Sequence, residues 1–339
     1  MSSKSFNLDD VSKGAKEFGY INIVNNISAN FDMPVGIVNG AKDGPTLAVT
    51  GGLYPTEYHG VSAAARLYQL IDPDKLAGKF ITVPVVNMYT FQFRNPMFEL
   101  IQSSTTPLDR GRINSYFPGS PDNHRPTQVL AYKLFNILKK ANYHLDFRGG
   151  DLNESHLVHS IYLRIGAELD KVAETMAKVA GYKYVLPGAP DIGHTSKGTL
   201  IYELMKAGCA SIITENGLGY RQQPYEHFIQ GHIDGTLNIM KHFGMLEGNP
   251  VKPENQRYLD MKWVRVSAPA SGMFVAIADA EDILTKGQVI GHIRDLDGSI
   301  IAEVKSPING VVHTMYPRRV VNINDGLYTL LGIREPTGW

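Results

Sequence analysis

An α/β/α sandwich on a mixed, largely parallel central sheet is expected for residues 1–250, followed by a small all-β barrel or sandwich domain over residues 260–335. Two observations lead there. Between Met33 and Phe243, short apolar runs of strand length alternate with longer segments of helical spacing, the pattern of a sheet covered on both faces. After Gly248-Asn249-Pro250 the helical spacing stops, and short β-type runs broken by Gly and Asp follow.

The elements follow in order. Residues 1 to about 30 are polar, carry Gly14, Gly19, Asn25 and Asn26, and read as a loose lead-in. Met33–Val38 reads as a strand, and Ala41-Lys42-Asp43-Gly44-Pro45 as a turn by its Asp-Gly-Pro chemistry. Thr46–Thr50 is a short β-type run that ends at Gly51-Gly52. Ser62–Leu70 is rich in strong helix formers. Phe80–Val86 is a second buried-type strand. Thr127–Leu138 places Val129, Leu130, Leu134 and Leu138 at helical spacing. His144–Phe147 and Ser211–Thr214 read as strands, Leu169–Val179 and His227–Phe243 as helices, the last closed by Gly244. In the second domain Trp263–Val266, Gly272–Ala276, Gln288–Ile293 and Gly310–His313 read as strands. Lys286–Gly291 and Ser306–Val312 resemble a lipoyl-like barrel, but the usual modified lysine is not evident at the turn, so a structural or lid domain is expected rather than a carrier.

Composition narrows the function classes. Lys+Arg and Asp+Glu are both 33, and this balance argues against a general nucleic-acid or acidic-membrane surface. One cysteine, Cys209, excludes an internal disulfide framework and fits a reducing compartment. The first ten residues lack an apolar signal core, and no window approaches 18 uninterrupted apolar residues. A cytoplasmic protein with a small-molecule partner is therefore expected, with homo-oligomerisation left open.

Thr50-Gly51-Gly52-Leu53-Tyr54-Pro55-Thr56-Glu57-Tyr58-His59-Gly60 carries the strongest motif. It resembles the G-G-x-H-G-x-E-x-x-G metal loop of the succinylglutamate desuccinylase/aspartoacylase family, relatives of the zinc carboxypeptidases. Leu145-Asp146-Phe147-Arg148-Gly149-Gly150 resembles that family's D-L-H-S/T-G-G segment, and Thr214-Glu215-Asn216-Gly217-Leu218-Gly219 its T-E-x-G-G/L-G segment. Val83-Pro84-Val85-Val86-Asn87 and Asp109–Gly119 match further stretches in the right order. The resemblance implies a zinc carboxypeptidase-like fold. It implies Glu57 at a zinc-ligand position, Glu215 at the position of the base, and Asp146 as a supporting carboxylate beside the substrate.

The departures carry more information than the matches. Tyr54 and Arg148 stand where the resemblance implies the two zinc-ligating histidines. A phenol with a pKa of about 10 is a poor ligand, and a guanidinium offers no lone pair. Ser115 replaces an arginine that grips the substrate carboxylate, next to Asn114. No cofactor is therefore expected at the usual zinc position; zinc or another divalent metal held by a different set, such as Glu57 with His59, stays open. Three carboxylates, Glu57, Asp146 and Glu215, against the one Arg148 leave two negative charges. Burying them calls for a proton, a cation or a cationic ligand. Arg148 is expected near the position of the ion, paired to Glu57 or Glu215, with one glutamate pKa raised. The expected catalytic set is Glu215, Arg148, Glu57 and Tyr54; the expected substrate contacts are Asn114, Ser115, Arg112, Arg94, His59 and Asp146, with Arg110 as a further source of charge.

Blander readings stand beside these. Glu57, Asp146 and Glu215 could hold loops, Tyr54 could be packing, and His59 a surface histidine. His144, alternating with Asp146 and Arg148 on one strand face, reads as a satisfied core histidine. His124 and His194 show no metal spacing, and Trp263 and Trp339 no functional signal. Two functions remain: a diverged enzyme acting on a small amide or N-acyl amino acid, and a catalytically inactive small-molecule-binding or regulatory protein.

Overall fold

The computed structural model describes residues 6–25, 30–54, 56–93, 113–122, 125–191, 193–218 and 223–334. Arg94, Arg110, Arg112, His124 and Trp339 lie outside these residues.

The first part of the large sheet comes from β1 (Ala15–Asn25), β2 (Asn30–Asn39), β3 (Lys42–Thr50), β4 (Ala77–Val83) and β5 (Tyr143–Arg148). Between them lie α1 (Tyr58–Leu70), α2 (Met88–Phe93) and α3 (Pro126–Leu138). β6 (Ser155–His156) leaves this sheet for the second domain. β7 (His159–Leu163), β8 (Tyr184–Gly188), β9 (Ala210–Glu215) and β10 (Arg257–Leu259) follow, with α4 (Leu169–Val179), α5 (Leu200–Lys206) and α6 (Glu226–His242). The second domain holds β11 (Val264–Ser267), β12 (Gly272–Ala276), β13 (Ile283–Leu284), β14 (Val289–Arg294), β15 (Ile300–Lys305), β16 (Gly310–Met315), β17 (Val320–Val321) and β18 (Gly326–Leu331). β19 (Ile333–Arg334) then returns to the large sheet beside β10.

The 10-stranded sheet runs β1-β2-β4-β3-β5-β9-β7-β8-β10-β19. Its middle, β4-β3-β5-β9, is parallel, and β7 enters antiparallel to β9. Side chains alternate across it. Leu47, Val49, Leu145 and Phe147 join the core that holds Ala63, Ala64 and Leu67 of α1 and Met176 of α4. Ala48, Ile81 and Val83 join the core of α3 on the other face. Leu67 is wholly buried, and burying one such side chain contributes about 1.5–3 kcal/mol. This is the mixed α/β sandwich expected.

Several local expectations are corrected. The supposed lead-in contains β1, an eleven-residue strand paired along β2. As an edge strand it is mostly half-buried or exposed, so it lacks the apolar alternation that marks a strand. Ala41–Pro45 is no free turn: Lys42 already begins β3, with a register irregularity against β4 between Lys42 and Thr46. The helix expected from Ser62 starts at Tyr58. β7, β8 and α5 have no counterpart in the sequence reading.

The second domain packs a 5-stranded sheet with the order β11-β18-β16-β13, joined by β6, against a 4-stranded sheet, β15-β14-β12-β17. Phe274, Ile290, Ile293, Leu327 and Tyr328 fill the space between them. Two strands cross the expected domain boundary: β6 pairs with β16, and β19 pairs with β10. No helix among the described residues is long and apolar enough to cross a membrane.

Candidate active site

The parallel strands β3, β5 and β9 end side by side, and ligands in such sheets bind at the carboxyl ends of the strands. Thr50 closes β3, Arg148 closes β5 and Glu215 closes β9. Thr50 is in register with Asp146, and Arg148 with Glu215. Because neighbours in register point the same way, Asp146, Arg148 and Glu215 share one face of the sheet.

Glycines let the surrounding loops come this close. Gly52 and Gly150 sit at φ 59° and 72°, where L side chains are strained. A Cβ on Gly60 would lie 2.8 Å from the Phe147 carbonyl oxygen, so α1 packs directly on β5 only because residue 60 has no side chain. That contact places Glu57, just before α1, over the strand ends.

Arg148 is 1% exposed. Its Nε donates to Asp146 Oδ2 at 2.7 Å, with Nη2 2.6 Å from the same oxygen. Nη1 lies 3.0 Å from His194 Nδ1. An arginine nitrogen can only donate, so this Nδ1 accepts and the His194 ring is neutral on that side. The guanidinium carbon lies 5.1 Å from the centroid of the Tyr54 ring, in cation–π range. The partner of Arg148 is thus Asp146. The expected pairing to Glu57 or Glu215 is corrected: two residues apart on one strand, Asp146 and Arg148 project to the same side, and the short carboxylate reaches first.

Asp146 is held from its other oxygen as well. Thr50 Oγ1 donates to Asp146 Oδ1 at 2.8 Å. That uses the only hydroxyl hydrogen, so Thr50 accepts from His144 Nε2 at 3.1 Å. His144 Nδ1 then accepts from Ser211 Oγ at 2.8 Å. His144 is therefore a neutral, satisfied core histidine, its pKa pushed down to about 4 by burial. His232 supports the Arg148 backbone: its Nε2 donates to the Arg148 carbonyl at 3.0 Å while Nδ1 accepts from Thr214 at 2.9 Å.

The two glutamates face this cation. Burial, then the charge of Glu215, raises Glu57 well above the ordinary carboxyl value, against the pull of Arg148. Its Oε2 has no hydrogen-bond partner among the described residues. Burial also raises Glu215, opposed by His156 and Arg148. Tyr54 is pushed up by burial, with Arg148 and the Asn114 amide acting the other way. Asn114 is itself fixed, because its Oδ1 accepts from the Leu200 amide at 3.1 Å.

The structure therefore brings Tyr54, Glu57, Asn114, Asp146, Arg148 and Glu215 together. Ser115 is adjacent in sequence but exposed. His59 lies buried against Tyr225 and Phe228, with ring centroids 6.2 and 5.2 Å away. Burial, then His227, lowers its pKa to about 4. Sequence reasoning set His194 aside and passed over His156 and His159. The latter follow the Asp146–Gly150 segment at a three-residue spacing, a signal that could have been read. His313 had none, since it lies on β16 of the second domain and meets His156 and His159 only in the folded chain.

The comparisons with known proteins agree on the scaffold. The family model for the succinylglutamate desuccinylase/aspartoacylase catalytic domain matches residues 43–242. A curated relative, the N-alpha-acetyl-L-2,4-diaminobutyric acid deacetylase of Halomonas elongata, is 26% identical over 312 residues, covering 90% of this chain and 87% of that one. A succinylglutamate desuccinylase/aspartoacylase from Rhodobacter sphaeroides superposes with a TM-score of 0.79 at 22% identity, covering 96% of this chain and 98% of that one. The product-bound ectoine utilization protein EutE (DoeB) from Ruegeria pomeroyi gives 0.79 at 20% identity, with 95% and 97% covered. With more than half of its length matched and its motif residues gathered at the strand ends, this chain belongs to the succinylglutamate desuccinylase/aspartoacylase family.

Proposed function

We propose that this chain is an amidohydrolase-like enzyme for a small N-acyl amino acid or related amide, working without the family's usual zinc. The observation that carries this reading is the buried Arg148, fixed by Asp146, whose charge acts on both glutamates. It is supported by what the residues can do. Of three expected ligand positions only Glu57 offers a donor suited to zinc, and a guanidinium repels an ion placed beside it. The residues at this position do not fit the metal, and no step runs through it.

The chain's own groups supply the rest. Glu215, with its pKa raised by burial, takes a proton from water as the water oxygen bonds to the acyl carbon. The developing oxyanion faces Arg148, whose five N–H groups exceed the contacts made by Asp146 and His194. Glu215 returns the proton to the leaving nitrogen as the oxyanion collapses and the C–N bond breaks, giving a carboxylic acid and an amine, which then exchange a proton to carboxylate and ammonium. The surplus of carboxylates favours a substrate with its own ammonium group, as in the N-acetyl-diaminobutyrate named for the Halomonas relative.

A panel of N-acyl amino acids that includes this compound, with the released amine read by mass spectrometry, tests the reading. Glu215→Gln should lower turnover by about 100-fold or more with the fold intact. No turnover of any member by the unmodified protein would sink it. A second reading, a binding protein without turnover, is favoured by the closed Arg148–Asp146 pair, each partner 1% exposed. It predicts retention of ligand with no loss in the Glu215→Gln variant.

A further inference from the structure

Three histidines meet where the two domains join. His156 lies on β6 and His159 on β7, and His313 arrives on β16. The pairing of β6 with β16 sets His156 opposite Thr314, the residue after His313. One ring nitrogen from each histidine lies within 4.8 Å of those from the other two. In a tetrahedral ion site such nitrogens stand about 3.3 Å apart, so small ring movements close the gap.

The hydrogen bonds fix which nitrogens are free. His156 Nδ1 and His159 Nδ1 both donate to the Leu157 carbonyl, at 3.1 and 2.9 Å. His313 Nδ1 lies 2.8 Å from Thr314 Oγ1. Metal-ligating histidines are held in this way: one nitrogen anchored to an oxygen, the other left with its lone pair. His159 Nε2 and His313 Nε2 are buried with no partner among the described residues. That separates His159 and His313 from His144 and His232, which are buried too but satisfied at both nitrogens. Packing explains those two; it leaves two buried nitrogens here unaccounted for. Burial first, then the neighbouring rings, pushes His313 well below its ordinary value and His159 to about 3.

We propose that His156, His159 and His313 form a site for one divalent transition-metal ion of the zinc class, tying the second domain to the first beside Glu215. Three imidazoles and no carboxylate suit zinc, cobalt or nickel over calcium or magnesium. Three protein ligands leave a fourth position open. His159 is in register with Glu215 on the neighbouring strand, so the ion would sit one strand away from the end of β9. His156 also lines a cavity of about 560 Å³ with Asn216, His227 and Glu281, which gives an entry route. The site does not depend on the amide chemistry proposed above, and its test reads ion binding alone.

The full-length protein, stripped with chelator, is titrated with Zn²⁺ by calorimetry and with Co²⁺ by visible absorption. One ion per chain and the ligand-field bands of a four-coordinate cobalt are expected. A His159→Gln/His313→Gln double variant should lose binding by roughly 100-fold or more, and Thr314→Val, which keeps the histidines, by about 10-fold. Glu57→Gln, at the family's usual position, should still bind one ion. Failure of the unmodified protein to bind a stoichiometric ion would overturn the site, with no variant needed. So would an ion that survives in the folded double variant but is lost from Glu57→Gln.

Discussion

Arg148 shows at a single residue how charge is made tolerable inside this protein. A guanidinium and a carboxylate, each 1% exposed, survive because Asp146 answers Arg148, and Thr50 answers Asp146. Removing one partner strands the other. Arg148→Met should therefore cost about 3–5 kcal/mol in urea unfolding, and adding Asp146→Asn should restore a large part of it. Glu57 gives a second test, with the sign set by its raised pKa. A carboxyl that holds its proton more tightly when folded adds stability below its ordinary pKa. That stability is lost as pH rises through the folded value. Glu57→Gln, which keeps the shape and cannot ionise, should match the parent in buffer below the ordinary carboxyl pKa and exceed it in alkaline buffer. Equal stability at both would show that Glu57 ionises as freely folded as unfolded. The convergence of Tyr54, Glu57, Arg148 and Glu215 was legible, because glycine-bounded motifs mark strand ends. The choice of Asp146 as partner was also within reach of the strand period, but the excess of charge drew attention to the glutamates instead.

Between elements, the position of α1 over β5 decides where Glu57 stands. The contact runs through Gly60, where a methyl group would meet the Phe147 carbonyl at 2.8 Å. Backbone cannot yield as a flexible side chain can, so Gly60→Ala should push α1 outward. A loss of about 1–3 kcal/mol in unfolding free energy is expected, with a larger effect on ligand binding than on helix content. Unchanged binding would mean that α1 does not set the geometry of Glu57. Elements with one clear apolar face, such as α3 and α4, were legible from spacing alone. β1 was not, because an edge strand meets water along much of its length. β8 was not, because Pro187 argues against a strand; it lies beyond the residues, Tyr184 and Val185, that pair with β10, where a missing amide hydrogen costs no ladder bond.

The two domains are joined by more than a linker, and the whole chain should unfold as one. β19 comes back from the second domain to pair with β10, and β6 goes out from the first to pair with β16. Neither exchange could be read from the sequence, since these strands are two residues long and carry no periodicity. Val311 and Leu331, both from the second domain, are counted in the main core of the first along with Leu259. Ending the chain after β10 would remove β19 and strip cover from Leu259, Leu157 and the rings of His156 and His159. Buried apolar area lost in this way is worth about 25 cal/mol per Å², enough over several side chains to erase a typical margin of 5–15 kcal/mol. A chain ending at Lys262 should therefore lose near-ultraviolet circular dichroism and bind hydrophobic dyes, while the full chain melts in one transition by every probe. If the shortened chain instead keeps its tertiary signal and melts as sharply as the parent, the second domain is an appendage, and the strand exchanges hold nothing together.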